Sequence, residues 1–188
     1  VTIIELEQTE NWRKGDWMQT FSGNKFYPLN PRPQDIAPQD IAHALSLLCR
    51  FNGHVDRFYS VAEHCLLLSH YVSEENALWA LLHDATEAYV GDMVRPLKRS
   101  MPAYVEVEDR VMDAIRERFD LPLGMPREVH QADSRILLNE RNTLMPNTKH
   151  KWQVEDLDPL EDTVVRGLPP KTIESMYLDR LNELLEKR

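Results

Sequence analysis

The chain has 188 residues, 42% apolar and 28% charged, with a net charge of −9. That is enough for one domain with a substantial core, in the ordinary range for a globular protein. The acidic balance argues against a binder of nucleic-acid polymers, which would more often be basic, but a few local cations could still hold a small anion. No apolar run is long enough to span a bilayer, and the opening "VTIIELEQTENWRKGDW" lacks a charged-then-apolar signal pattern. Cys49 and Cys65 both lie in apolar-periodic segments and are expected to be reduced thiols of an intracellular, cytoplasmic protein rather than a disulfide.

The first part of the chain, residues 1–37, is irregular and aromatic. "MQTFSGNKFYPL" predicts two short strands around a turn at Ser22-Gly23-Asn24, and Pro28, Pro31, Pro33 and Pro38 punctuate the connector that follows. Trp12, Trp17 and Phe21 are expected to pack or to touch another subunit rather than to stack on a base. From Pro38 the pattern becomes helical. Ile41, Ala44, Leu45 and Leu48 repeat on one face, and Ser60-Val61-Ala62-Glu63 is a capping box that should start a second helix with Val61, Cys65, Leu68 and Val72 buried. A third helix is predicted from Glu74 to a stop near Gly91, with Leu78, Leu81, Leu82 and Ala85 inward. A fourth covers roughly Tyr104 to Phe119, with Val107, Val111 and Ile115, and ends before Pro122; a fifth starts near Pro126 with Val129, Ala132, Ile136 and Leu137. Residues 147–170 read as loop with room for a short irregular strand, and a last helix from Pro170 would bury Ile173, Met176, Tyr177, Leu181 and Leu184. The fold class is all-α: a single helical bundle with an irregular N-terminal arm.

Within the third helix, "LLHDATEAYVGD" sets His83 beside Asp84, with Glu87 at i+4 from the histidine and therefore on its face. Buried imidazoles and carboxylates in an apolar helix need partners or a metal. Helix neighbours splay by about 100°, so a shared ion would need ligands from other helices, for which His64 in "VAEHC" and Asp133 in "HQADSR" are candidates. Two neutral imidazoles and two carboxylates would make a mixed N/O site for Zn²⁺, Mn²⁺, Fe²⁺ or a similar ion. The plainer alternative is that all four are satisfied polar residues on half-buried faces. "HD" alone is a weak signal.

The ordered motifs "CRFNGHVDRFYSVAEH", "LLHDATEAYVGDMVRPLK" and "QAD" resemble those of the HD-domain metal-dependent phosphohydrolases, over roughly Trp17 to Asp133. The likeness is close to YfbR-like 5′-deoxynucleotidases and closer to phage enzymes similar to dATP triphosphohydrolases. The resemblance implies His64, His83, Asp84 and Asp133 as ligands of a divalent ion, Zn²⁺, Mn²⁺ or Co²⁺, with Mg²⁺ also admissible. It implies Glu87 as the group that positions or deprotonates the attacking water, and Asp92 as an acid beside the site, although Asp92 could equally cap the turn after Gly91. Arg50 and Lys98 correspond to phosphate or sugar contacts, and Phe51 and Asn52 to sugar and base contacts. Arg95 and His54 are further candidate phosphate contacts; Arg99 lies in the same cationic stretch.

A dNTP triphosphohydrolase would release deoxynucleoside and triphosphate, and a 5′-deoxynucleotidase would release deoxynucleoside and orthophosphate. A catalytically silent nucleotide sensor and a purely structural helical protein are the other classes open to the sequence. The resemblance also implies a homo-oligomer with a deoxynucleotide substrate and neither a polymer nor a membrane as partner.

Overall fold

The computed structural model describes residue 13 and residues 15–188. Trp12 lies outside them. In the arm, β1 (Met18–Gln19) and β2 (Lys25–Phe26) pair antiparallel, Met18 opposite Phe26 and Gln19 opposite Lys25. The hairpin closes through Gly23 N–H to Thr20 O at 3.0 Å and Thr20 N–H to Asn24 O at 2.9 Å; Gly23 takes φ +84°, which glycine adopts without strain. Asp40 anchors the turn by accepting from the Ser22 amide and hydroxyl at 2.7 and 2.8 Å. Trp17 and Phe21 stay exposed, and Phe21 stacks on His43 with ring centroids 3.6 Å apart.

The rest is helical. α1 (Pro38–Leu47) has proline in its first turn, where no amide partner is missed. α2 (Val61–Tyr71) begins at Ser60, whose hydroxyl accepts from Glu63 N–H at 3.1 Å. The other half of the capping box is diverted: the Glu63 carboxylate takes the amides of Arg166, Gly167 and Leu168 at 2.7–3.1 Å, tying the late loop to the start of α2. The four stripe residues Val61, Cys65, Leu68 and Val72 are all buried.

The predicted third helix is broken. α3 (Ala77–Leu82) stops at the histidine, and α4 (Glu87–Val90) restarts four residues later. Across the gap the backbone bonds shorten to i→i−3: Ala85 N–H to Leu82 O at 3.0 Å, Glu87 N–H to Asp84 O at 3.0 Å and Tyr89 N–H to Thr86 O at 2.9 Å. The carbonyls of Ala80 and Leu81 accept side-chain donors instead, His83 Nδ1 at 2.8 Å and Tyr177 Oη at 2.7 Å.

A short α5 (Arg95–Lys98), not foreseen from periodicity, precedes α6 (Pro102–Phe119). The last turn of α6 ends on Asp120 at φ +51°, two residues before the proline expected to stop it. α7 (Arg127–Leu144) follows Pro126, and α8 (Pro170–Glu186) closes the chain, packed along α1 and across α2 and α3. Ile173, Tyr177, Leu181 and Leu184 are buried as expected, but Met176 faces solvent at 42% exposure, one residue off the inward stripe of α8. Residues 145–169 form no strand; Leu160 and Val165 still reach the core. Cys49 is half-buried, Cys65 buried, and both are free thiols. No helix among the described residues is long and apolar enough to cross a membrane.

Candidate metal centre

The break between α3 and α4 aims His83 and Asp84 inward together. His83 sits on the last turn of α3, and its Nδ1–H donates to Ala80 O, so its Nε2 lone pair points away from the helix. His64, one turn into α2, is likewise held from behind, with Nδ1 2.6 Å from Glu140 Oε1. The two free nitrogens meet at 3.2 Å. Asp84 Oδ2 lies 3.3 Å from His83 Nε2 and 3.8 Å from His64 Nε2; Asp133 Oδ1, from α7, lies 3.3 Å from His64 Nε2 and 3.9 Å from His83 Nε2. Four acceptor atoms from α2, the α3–α4 turn and α7 therefore share one small volume.

Crowding of that kind is repulsive unless a positive charge sits among the donors. Ligand atoms 2.0–2.2 Å from a zinc ion are roughly 3.3–3.6 Å apart in a tetrahedron, which the shorter separations match. The donor set, two imidazoles and two carboxylates, suits zinc, manganese or cobalt better than an all-oxygen cation. Two overlapping groups of side chains could thus hold a metal, His64–His83–Asp133 and Cys65–His83–Asp84. Cys65 sits behind the His83 ring, 3.8 Å from Nδ1, and burial pushes its thiol up to about 11, so it faces away from the point where the two Nε2 atoms meet.

The local field is strongly negative. Burial opposes charging His83, yet the Asp84 carboxylate beside it carries its pKa well above the ordinary value. Burial likewise works against the ionised forms of Asp84 and Asp133, but the two histidines bring both carboxyls far below the usual range. The same field that attracts a proton would attract a divalent cation.

Among curated proteins, the Escherichia coli (strain K12) protein YfdR, which carries the description "uncharacterized", is 42% identical over 173 residues, spanning 92% of this chain and 97% of that protein. The chain belongs to the YfdR family. A Rhodobacter capsulatus protein, also described as uncharacterized, is 40% identical over 129 residues, 63% of this chain and 66% of that protein. No protein-family model matches the chain.

Beside the donor cluster, this YfdR-family chain opens a cleft of about 560 Å³, in the range of small-molecule sites. Of the residues singled out in the sequence, Arg50, Phe51, Asp84, Glu87, Asp92, Arg95, Lys98 and Asp133 line it. Glu87 Oε2 is buried without a hydrogen-bond partner; burial, then the charges of Asp84 and Asp92, hold its pKa well above the usual carboxyl range. Asp92 is raised as well, first by burial. Gly91 at φ +79° ends α4 through its own amide to Glu87 O, leaving the Asp92 side chain to the cleft.

Arg50 contacts Asp84 Oδ2 at 3.4 Å and Glu140 Oε2 at 3.2 Å. Arg95 pairs with Asp133 at 3.1 Å and Lys98 with Glu108. Phe51 enters the cleft because it and Asn52 adopt left-handed φ of +55° and +53°, a costly backbone for side chains other than glycine and one that clusters at functional sites. The loop carrying them is pinned at its base by the Cys49–Ser60 bridge and by Arg50 N–H to Tyr59 O at 2.9 Å. The same turn leaves Asn52 and His54 exposed and outside the cleft lining, so neither expected contact is placed against the cavity. Arg99 is also outside it, bonding Gln153 at 3.3 Å.

Two features escaped the sequence reading. Lys151, Trp152, Gln153 and Val154, from the late loop, form a wall of the cleft, with Trp152 6.1 Å from the Phe51 ring. Glu140 is fully buried behind His64. Its spacing of seven from Asp133, two helical turns on the same face, was the available signal.

Proposed function

We propose that this chain is an HD-domain, metal-dependent phosphohydrolase acting on 2′-deoxynucleotides, most simply a dNTP triphosphohydrolase of the dATP-directed type. The observation that carries the reading is the meeting of His64 and His83 at 3.2 Å with carboxylate oxygens of Asp84 and Asp133 3.3–3.9 Å from their Nε2 atoms, beside a cation-bearing cleft into which the partnerless Glu87 carboxyl also faces. A divalent ion bound there would lower the pKa of water and polarise a phosphoryl oxygen. Glu87 orients the attacking water and takes its proton, a role suited to a carboxyl whose burial raises its proton affinity. Arg50, held by Glu140 and Asp84, faces the charge that builds on the phosphoryl oxygens. The water oxygen bonds to the α-phosphorus as the bond from phosphorus to the 5′ oxygen breaks, and the proton ends on the nucleoside hydroxyl.

Phe51 and Trp152 give the cleft an aromatic edge against which sugar or base can lie. Lys151 makes no ion pair or hydrogen bond among the described residues, beyond its field on Glu155, and is the cation most open to a distal phosphate. A 5′-deoxynucleotidase is the second reading. It is favoured by the engagement of Arg95 with Asp133 and Lys98 with Glu108, which leaves fewer open cations for a long polyphosphate. Self-association through the exposed Trp17 and Phe21 of the arm belongs to the same proposal.

A product assay tests it. The four dNTPs and four dNMPs are incubated separately with the purified chain and Mn²⁺, Co²⁺ or Zn²⁺. Release of triphosphate from a dNTP supports the first reading and orthophosphate from a dNMP the second; no turnover of any of the eight would sink both.

A further inference from the structure

We infer that Glu140 is a positioning residue that holds a metal-facing imidazole and a phosphate-facing guanidinium at once. The inference rests on the metal-centre reading, and its geometry is independent of which phosphate ester is cleaved. Glu140 stands on α7 with no solvent exposure. Its Oε1 accepts from Tyr59 Oη at 2.9 Å and lies 2.6 Å from His64 Nδ1. Its Oε2 accepts from Arg50 Nη2 at 3.2 Å. Both oxygens are therefore committed, one towards the donor cluster and one towards the cleft.

A carboxylate behind a histidine does two things. It fixes the proton on Nδ1, so the Nε2 lone pair is always presented to the ion, and it makes that nitrogen a better donor. His64 needs this more than His83 does. The backbone carbonyl of Ala80 already sets the tautomer of His83, whereas among the described residues the His64 ring meets only side chains. The Arg50 contact extends the same carboxylate to the substrate side. Arg50 reaches the cleft from a loop with left-handed backbone at Phe51, Asn52 and Gly53, so a buried anchor is what gives its side chain a defined direction. The negative charge is needed because an amide in its place offers one acceptor and one N–H₂ where the surroundings supply donors on both sides.

Zinc titration of metal-stripped wild type and Glu140→Gln, by competition with a chromogenic chelator, tests the ligand half. The variant is expected to bind zinc about 10–100-fold more weakly, with unchanged helical circular dichroism; affinity within twofold of wild type would overturn the inference. Nitrogen NMR of the imidazoles in metal-stripped wild type, at alkaline pH, gives a second measurement that needs no variant. His64 is expected to carry its proton on Nδ1, and a proton found on Nε2 would overturn the inference even if Glu140→Gln fails to fold. A wild type that binds no zinc would count against the phosphohydrolase reading, while the ring-nitrogen spectrum would still decide the role of Glu140.

Discussion

His64 Nε2 and His83 Nε2 lie 3.2 Å apart, each with its Nδ1 engaged from behind, by Glu140 and by the Ala80 carbonyl respectively. Two lone pairs at that distance are stable only around a positive charge, and Asp84 and Asp133 approach the same point. Asp84 is the closer of the two carboxylates to His83 and the one that contacts Arg50. On the proposed reading, replacing it with alanine removes a ligand and part of the negative charge that would draw an ion in. Asp84→Ala is expected to lose stoichiometric metal by elemental analysis and all detectable turnover. A variant that keeps both would place the reactive centre elsewhere.

Glu87 gives a test in which stability and activity move in opposite directions. Its folded pKa is raised above 4.5 by burial and by Asp84 and Asp92. The folded chain therefore keeps a proton that the unfolded chain releases, and stability contributed by that proton is lost as pH rises from about 4.5 through the folded value. In metal-stripped protein, Glu87→Gln, which cannot ionise, is expected to melt higher than wild type at about pH 7, with the difference shrinking towards about pH 4. With metal restored, the same variant should keep its ion while kcat falls about 10²–10⁴-fold, the usual scale for losing a general base. Loss of the ion instead would make Glu87 a ligand.

Much of the helical frame and of the donor cluster is legible in the sequence, and the parts that are not share a cause. Ser60 caps α2 by local chemistry, and the stripes of α2 and α8 are periodic, so both helices can be read from short windows. The break after Leu82 cannot. Nothing between His83 and Thr86 is glycine or proline; the turn is stabilised by Tyr177, 96 residues away, and by the His83 ring. Glu140 and the 151–154 wall are hidden for the same reason, since their partners His64 and Phe51 lie far off in sequence. Asn52 and His54 lie outside the cleft lining although they adjoin or nearly adjoin Phe51, because adjacency says nothing about direction once the backbone turns left-handed.

The wall supplied by the late loop predicts a split in kinetic effects. Trp152 and Lys151 border the cleft but are not among the side chains gathered at the donor cluster. Removing binding that is equal in ground and transition states raises KM with little change in kcat. Trp152→Ala is expected to raise KM for every nucleotide cleaved, about 5–160-fold on the scale of an aromatic stacking contact of about 1–3 kcal/mol. Lys151→Ala should raise KM for a dNTP more than for a dNMP, because only the longer chain reaches it. Equal effects on the two substrates would remove Lys151 from the distal phosphates.

Tyr177 links the last helix to the donor cluster through one hydrogen bond, from its hydroxyl to Leu81 O at 2.7 Å. Both groups are buried, and the Leu81 carbonyl cannot fall back on the amide four residues on, which is bonded to Leu82 O. Tyr177→Phe keeps the ring packing and orphans that carbonyl, at a cost of about 1–3 kcal/mol. For a chain of this length each kcal/mol lowers Tm by about 2–4 °C, so a fall of roughly 2–12 °C is expected in a calorimetric scan. The carbonyl belongs to the turn that aims His83 and Asp84, so zinc affinity should fall along with Tm. A variant that loses Tm but binds zinc as wild type does would show that the turn holds its shape without Tyr177, leaving the His83 ring and the short i→i−3 bonds to define it.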